Sequence, residues 1–226
     1  MDIKILHLLE GAKKALGLAV IIDVFRAFSL ECYLMSQGAA QIIPVQEKET
    51  AYQLKAANPD HVLVGERGGV MLPGFDYGNS PSQMASAFLK NKTIIHTTSA
   101  GTQGLTGAKA AQEVITGSLV NAQAIARYIK QTGFDKISLV CMGLDAKRET
   151  EEDTLCAQYL KCLLENKSID IYREIELLKT TSGSKFFDPA QQDVFPEKDF
   201  YLCTEINKFD FILKLEENAY IRKYQI

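Results

Sequence analysis

Short apolar runs alternate with longer amphipathic stretches through most of the chain. A short continuous apolar run, such as 18–22, is typical of a strand that is buried on both faces. Runs of this kind, with some weaker alternations, predict strands at 1–8, 18–22, 41–45, 61–64, 93–98, 114–118, 136–141 and 209–215.

The segments between these strands predict helices. Gly38 and Pro59 are expected to end the first two long ones, Ser80 and Pro81 to open another, and Asn121 to cap a fourth. The predicted helices cover 29–37, 47–58, a segment from 81, a segment ending at 111, 122–130, 149–164, 169–180 and a piece around Cys203, with a short helix or turn at 10–17. Repeated strand–helix units indicate an α/β fold with a largely parallel sheet between helices. No linker or repeat interrupts the pattern, so we predict one domain over residues 1–226.

Residues 65–81 are predicted to form a long loop, around which a functional site is organised. Five glycines and two prolines in this segment argue against ordinary helix or strand. Its apolar residues, such as Leu72 and Phe75, favour an ordered loop over a solvated one. Glycines in such a loop let backbone N–H groups approach an anion. A purely structural Ω-loop, packed on its own aromatic residues, is the alternative.

Polar residues collect where predicted strands end. In an open parallel sheet, ligands bind beyond the carboxyl ends of the strands, so we expect these residues to lie together. These polar residues predict a pocket that holds a metal ion and binds an anion through arginine. They are Asp23, Arg26, Glu66, Arg67, the hydroxyl-rich run 97–102, Ser118, Glu152 and Asp153.

Each piece of this pattern also has a structural explanation. In one interpretation, Asp23 is a metal ligand or base and Arg26 clamps a phosphate. In the other, the two residues form an N-cap and a surface ion pair. The run 97–102 suits anion binding at a helix start, but also ordinary capping. The acidic pair 152–153 suits metal binding, but also complements a helix dipole. His96 lies in a predicted buried strand and is expected to be a satisfied core residue.

Composition narrows the classes of function. The net charge of −3 and the absence of a lysine–arginine run exclude a general nucleic-acid surface. No apolar stretch approaches the roughly 20 residues of a membrane span, and no secretion signal is apparent at the N-terminus. Five cysteines without CxxC spacing indicate reduced thiols in a cytoplasmic protein. The familiar phosphatase, Walker A, GxSxG and HExxH signatures are absent.

Five motifs occur together in one order. They are Val20-Ile21-Ile22-Asp23-Val24-Phe25-Arg26-Ala27, Gly65-Glu66-Arg67-Gly68-Gly69, the segment 74–81, the segment 117–122 and the segment 152–157. The set resembles the 2-phosphosulfolactate phosphatase family. The resemblance implies a three-layer α/β/α sandwich with a largely parallel central sheet, a mixed sheet being left open. It also implies Mg²⁺-dependent hydrolysis of 2-phosphosulfolactate to sulfolactate, a step of coenzyme M synthesis.

With this resemblance, the strand-end residues take expected roles. The expected catalytic residues are Asp23, Arg26, Glu66 and Arg67, with the two arginines clamping one anion. Phosphate and substrate are expected at Gly68, Gly69, Asn79, Ser99, Gly101, Thr102, Ser118 and Asn121. The expected Mg²⁺ ligands come from Asp23, Asp76, Glu152 and Asp153, with Glu66 also considered.

Two segments differ from the usual family pattern. Ala100 precedes Gly101-Thr102 where the family often has asparagine, and the charged segment 143–148 replaces a glycine-rich one. The expected partner is a small anionic phosphorylated substrate, without nucleic acid or membrane, and a homodimer is left open. The alternatives are a phosphatase for another small 2-phospho-hydroxy acid and a non-catalytic anion-binding protein of the same fold.

Overall fold

The structure, a computed structural model, describes residues 1–84, 87–217 and 219–226. Its strands are β1 (Asp2–His7), β2 (Leu18–Ile22), β3 (Gln41–Pro44), β4 (Val62–Arg67), β5 (Val70–Met71), β6 (Thr93–Thr97), β7 (Glu113–Gly117), β8 (Lys136–Cys141), β9 (Phe211–Leu215) and β10 (Ile221–Gln225). Its α-helices are α1 (Leu8–Lys13), α2 (Ala27–Ser36), α3 (Lys48–Ala57), α4 (Gly101–Gly107), α5 (Ala122–Thr132), α6 (Glu151–Glu165), α7 (Ile171–Leu178) and α8 (Glu197–Thr204). Single 3₁₀ turns cover Pro81–Met84, Leu119–Asn121, Ser184–Phe187 and Pro189–Gln191.

Most of the predicted strands and helices are present, but the glycine-rich segment differs. β4 continues through Arg67 and pairs antiparallel with β5, so the start of this segment is a small hairpin and not a loop. The chain then returns to β4, where Asp76 and Tyr77 donate their N–H groups to the Leu63 carbonyl. The helix predicted from Pro81 is a 3₁₀ turn up to Met84, and residues 85–86 lie outside the described residues.

Hydrogen bonds join the strands of the described residues in the order β1-β8-β2-β7-β9-β10-β3-β6-β4-β5. β1, β8, β2 and β7 are parallel neighbours, and so are β3, β6 and β4. Between these two blocks, the hairpin of β9 and β10 pairs antiparallel with β7 on one side and with β3 on the other. The sheet is therefore parallel within each block and mixed as a whole.

This hairpin reverses the strand direction between the two blocks, so the blocks run in opposite senses along the sheet. Side chains of both blocks nevertheless share one core, which contains Ile21, Ile42, Val64 and Ile94. Twist accumulates from strand to strand, which lets both blocks pack on that core. The ends of β2, β4 and β6 meet at one cavity, although the two blocks do not share the single carboxyl edge assumed from the sequence.

Helices cover both faces of the sheet. Along β2, Leu18, Val20 and Ile22 face a core shared with α5, α6, α7 and α8, while Ala19 and Ile21 face the core shared with α1, α2 and α4. This alternation is the two-residue period of a strand that is buried on both sides. The predicted three-layer α/β/α architecture is confirmed.

Two further expectations concern the environment of the chain. All five cysteines are free thiols, and each is buried except the half-buried Cys162. Burial raises the pKa of Cys156 well above its ordinary value, which fits a core residue of α6 and not a nucleophile. Among the described residues, no helix is both long enough and apolar enough to cross a membrane.

Candidate active site

A cavity of about 500 Å³ opens where β2, β4 and β6 end, beside the start of α6. This volume is within the range of small-molecule sites. Many of the residues predicted from the sequence line it together. They are Asp23, Arg26, Glu66, Gly68, Gly69, Asn79, Ser99, Glu152 and Asp153.

Asp23 lies at the centre of this group, directly after β2. Its Oδ1 accepts the Ala27 N–H at 3.3 Å, at the start of α2. Its Oδ2 faces Gly101, where an added Cβ would lie 3.0 Å from that oxygen. Burial raises the pKa of Asp23 to about 7, and the nearby carboxylates of Glu66 and Glu152 act in the same direction. Asp23 can therefore hold a proton near neutral pH.

The acidic pair at the start of α6 divides into two roles. Asp153 binds backbone, because its Oδ1 accepts the Val24 N–H and its Oδ2 the Gly143 N–H, both at 2.8 Å. It thereby ties the ends of β2 and β8 to α6. Glu152 is equally buried, yet its Oε2 has no hydrogen-bond partner among the described residues. Burial raises the pKa of both carboxyls.

Glu66 organises the hairpin that follows β4. Its Oε2 accepts the Gly69 N–H at 2.6 Å, and its Oε1 accepts the Ser99 N–H at 2.7 Å. Gly69 has φ +84° and lies against Phe195, so both its backbone and its surroundings require glycine. Because Glu66 already accepts the Gly69 N–H, the glycine-rich segment does not offer that group freely to an anion.

Arg26 is buried in the wall of the cavity. Its Nη1 donates to Asp199 Oδ2 at 2.7 Å and to the Val194 carbonyl at 2.9 Å. Its guanidinium carbon lies 4.9 Å from the centre of the Phe195 ring. Much of its charge is therefore balanced by Asp199, a residue that the sequence analysis did not single out.

The expectation that Arg67 joins Arg26 in one clamp is wrong in geometry. Arg67 does not line this cavity but an adjoining cleft that shares Gly68 and Ser99 with it. Its Nη1 donates to the Glu66 carbonyl at 2.7 Å, and its Nη2 donates to Thr97 Oγ1 at 2.9 Å and to the Gln46 carbonyl. These bonds turn the side chain away and attach it to the ends of β3 and β6.

Asp76 and Thr102 also lie elsewhere than expected. Asp76 Oδ2 accepts the Leu63 N–H at 2.8 Å and pairs with Lys55 at 3.1 Å, outside the cavity lining. This bond closes the return of the glycine-rich segment onto β4. The Thr102 N–H donates to Thr98 Oγ1 and is buried, so it is not available to a phosphate.

Ser118 and Asn121 have a structural place as well. They form a reciprocal capping box after β7, in which Asn121 Oδ1 accepts the Ser118 N–H at 3.3 Å. Ser118 Oγ also bonds Ser29 Oγ at 2.5 Å. Asn121 therefore closes the turn before α5 and does not cap that helix with its side chain. Neither residue lines the cavity.

His96 is a satisfied core residue, as predicted. It is fully buried, with Nδ1 2.8 Å from Glu31 Oε1 and Nε2 3.2 Å from Asn79 Oδ1. Asn79 in turn lines the cavity. The contact with His96 thus fixes the orientation of the Asn79 side-chain amide.

One wall of the cavity was missed by sequence reasoning. It is formed after α7 by Thr181, Ser182, Ser184 and Lys185, with Phe195 beside them. The run Thr180-Thr181-Ser182-Gly183-Ser184-Lys185 carries hydroxyls, a glycine and a cation, the composition of an anion-binding segment. From the sequence alone, this run is interpreted as a simple turn because no predicted strand precedes it.

The cavity fits a magnesium ion with few protein ligands. Among the described residues, no group of three or more His, Cys, Asp or Glu side chains is arranged as a metal site. Mg²⁺, however, usually takes one or two carboxylates and completes its coordination with water and substrate phosphate. Asp23 and Glu152 both line the cavity, and among the described residues no hydrogen bond is formed by Glu152 Oε2, while the hydrogen bond of Asp23 to Ala27 uses only its Oδ1. These two residues could hold the ion.

Comparison with known proteins identifies the family. The family model for 2-phosphosulpholactate phosphatase matches residues 4–218. A "Probable 2-phosphosulfolactate phosphatase" of Bacillus subtilis is 32% identical over 88% of this chain and 87% of its own length. Proteins of the same name from Caldicellulosiruptor saccharolyticus and Caldanaerobacter subterraneus are 36% and 34% identical, covering 88% and 91% of this chain and 82% and 90% of their own lengths. The chain therefore belongs to the 2-phosphosulpholactate phosphatase family and is an enzyme of the phosphoric monoester hydrolase class.

Proposed function

We propose that this enzyme hydrolyses 2-phosphosulfolactate to sulfolactate and phosphate with the help of Mg²⁺, the reaction used in coenzyme M synthesis. Family membership supports the reaction class, and the relatives' names support the substrate. The observation that carries the proposal is that two buried carboxylates, Asp23 and Glu152, line one cavity, and that Glu152 Oε2 has no hydrogen-bond partner among the described residues.

The chain's own residues divide the work. Asp23 and Glu152 would hold the ion, which when bound orients water and screens the phosphate charge. Asp153 and Glu66 do not face the ion freely, because backbone N–H groups occupy their oxygens. They fix the positions of the strand ends and of the hairpin. Arg26 places a positive charge in the wall, held in orientation by Asp199.

The test is release of inorganic phosphate from 2-phosphosulfolactate by the purified protein. We expect steady turnover that EDTA abolishes and added Mg²⁺ restores. Asp23→Asn should remove turnover, while Asp76→Asn, outside the cavity, should retain it. Binding of the substrate without any phosphate release would instead indicate a non-catalytic anion-binding protein.

A second candidate is the same hydrolysis of another small 2-phospho-hydroxy acid. The observation that favours it is that Ala100 and the segment 143–148, which differ from the usual family pattern, both contribute to the cavity wall. A panel of phospho acids assayed at equal concentration would rank the substrates. The highest kcat/KM on an acid without a sulfonate would favour this candidate.

A further inference from the structure

The cavity has two chemically different sides. The strand ends and the start of α6 supply its buried carboxylates, Asp23, Glu66, Glu152 and Asp153. The wall at 181–185, with Phe195, supplies hydroxyls, an ammonium and an aromatic ring, and no carboxylate. A cation belongs at the first side and an anion at the second.

Lys185 is the cation of the second side, and no acid among the described residues lies within ion-pair distance of its ammonium group. No hydrogen bond or ion pair to its Nζ occurs within the described residues, whereas Arg26 is paired with Asp199 at 2.7 Å. The ammonium lies 5.0 Å from the Phe195 ring centre and 5.4 Å from that of Phe186, so aromatic rings hold it at the cavity. Burial lowers the pKa of Lys185, and the carboxylates of Glu152, Asp23 and Asp153 oppose this effect only in part.

Two buried hydroxyls of the same cavity are also unsatisfied. Ser182 Oγ and Thr150 Oγ1 line the cavity and have no hydrogen-bond partner among the described residues, although both lie near enough to Glu152 to lower the pKa of its carboxyl. Buried polar groups of this kind are normally paired, so unpartnered donors at a cavity wall mark a place for a ligand. An oxyanion would satisfy both hydroxyls and the ammonium together.

We propose that Lys185, together with Ser182, binds the carboxylate of the substrate, the acid group that is not transferred. This proposal rests on the proposed function. In a 2-phospho-hydroxy acid, the carboxylate is attached to the carbon that carries the phosphate. The subsite for the substrate carboxylate must therefore adjoin the position of the phosphoryl group. It must also adjoin the protein carboxylates that would hold the metal. Lys185 meets this requirement, because it lines the same cavity as Asp23 and Glu152.

The test compares substrates that differ in their acid groups. Wild type and Lys185→Gln are assayed on phosphosulfolactate, on 2-phospholactate, which keeps only the carboxylate, and on glycerol 2-phosphate, which has neither acid. We expect KM to rise about 10- to 100-fold on the first two substrates, the cost of a charge-assisted hydrogen bond, and less than about threefold on the third. Lys179→Gln is the matched control, because Lys179 pairs with Glu176 and does not line the cavity.

The outcomes separate the possible roles of Lys185. Equal losses on all three substrates would place the transferred phosphoryl group at Lys185 and overturn the proposal. A loss on phosphosulfolactate alone would assign the sulfonate and overturn it as well. Unchanged KM values in a folded variant would show that Lys185 does not bind substrate.

A binding measurement separates this proposal from the proposed function. Sulfolactate is titrated calorimetrically into the wild type and into Lys185→Gln, which requires no turnover. Weaker binding to the variant, in a protein that releases no phosphate, would support the subsite while refuting the phosphatase reaction. Phosphate release with identical sulfolactate binding by both proteins would do the reverse.

Discussion

The acidic pair at the start of α6 yields a prediction in which two adjacent carboxylates behave differently. Asp153 accepts two backbone N–H groups at 2.8 Å, whereas Glu152 Oε2 has no hydrogen-bond partner in the part of the chain that the structure describes. Asp153→Asn leaves one buried N–H facing an amide NH₂ group, and weakens the bond that remains. Since a hydrogen bond to a charged group contributes roughly 1.5–3 kcal/mol, we expect a loss of about 2–4 kcal/mol of unfolding free energy. For a chain of this size, the melting temperature should fall by about 5–15 °C.

Glu152→Gln should have the opposite profile. The substitution is isosteric and removes a buried charge that has no hydrogen bond at Oε2, so stability should stay within about 0.5 kcal/mol or rise. The Mg²⁺ concentration at half-maximal rate should increase tenfold or more, which corresponds to about 1.4 kcal/mol of binding.

The assay is a Mg²⁺ titration of phosphate release for each variant, beside thermal unfolding in EDTA. The reasoning is refuted if Glu152→Gln leaves the half-saturating Mg²⁺ concentration unchanged. It is also refuted if Asp153→Asn weakens Mg²⁺ binding without lowering the melting temperature.

Three further predictions follow from the same geometry. Arg67→Lys should leave KM within about twofold and cost about 1–2 kcal/mol of stability, because it loses neutral hydrogen bonds outside the cavity; a large KM change in kinetic assays would contradict this. Ala100→Asn should change the relative kcat/KM values among phospho acids, because Ala100 lines the cavity; identical ratios for both proteins would show no role in selectivity. Burial raises the folded-state pKa of Asp23 from 3.8 to about 7, so Asp23 stabilises the metal-free fold fully below pH 4 and loses this contribution as the pH rises through 7. Urea unfolding in EDTA should therefore show stability falling by up to about 1.4 kcal/mol per pH unit from this group, with a shallower slope in Asp23→Asn.

The sequence predicts those strands and helices whose buried residues form a recognisable hydrophobic pattern along the chain. β2 is wholly buried, so it appears as an uninterrupted apolar run, and β8 is buried except at Lys136, with only Ser138 interrupting its apolar residues. β10 was missed because only Ile221 is buried and the next four residues are exposed. Its strand conformation depends on pairing with β9 and β3, which no local pattern encodes.

The same difference between local pattern and long-range contacts decides which site residues could be predicted. Asp23, Glu66 and Glu152 could be predicted because each lies at or next to the end of a strongly patterned element: after β2, near the end of β4 and in the first turn of α6. Arg67 and Asp76 stand beside those residues in the chain, but their side chains bond to neighbouring backbone and leave the cavity. Lys185 enters the cavity only because the chain beyond α7 folds back over the sheet, a long-range event without a local signature.

The hairpin of β9 and β10 has a consequence for biosynthesis. Both halves of the sheet are made before the two strands that join them, so β3 and β7 each wait with an unpaired edge. At roughly 5–20 residues per second, that wait lasts on the order of ten seconds for β3. Exposed edges of this kind recruit other chains. A nascent chain is therefore most vulnerable to aggregation just before its last hairpin emerges, and the catalytic cavity is among the last features to form.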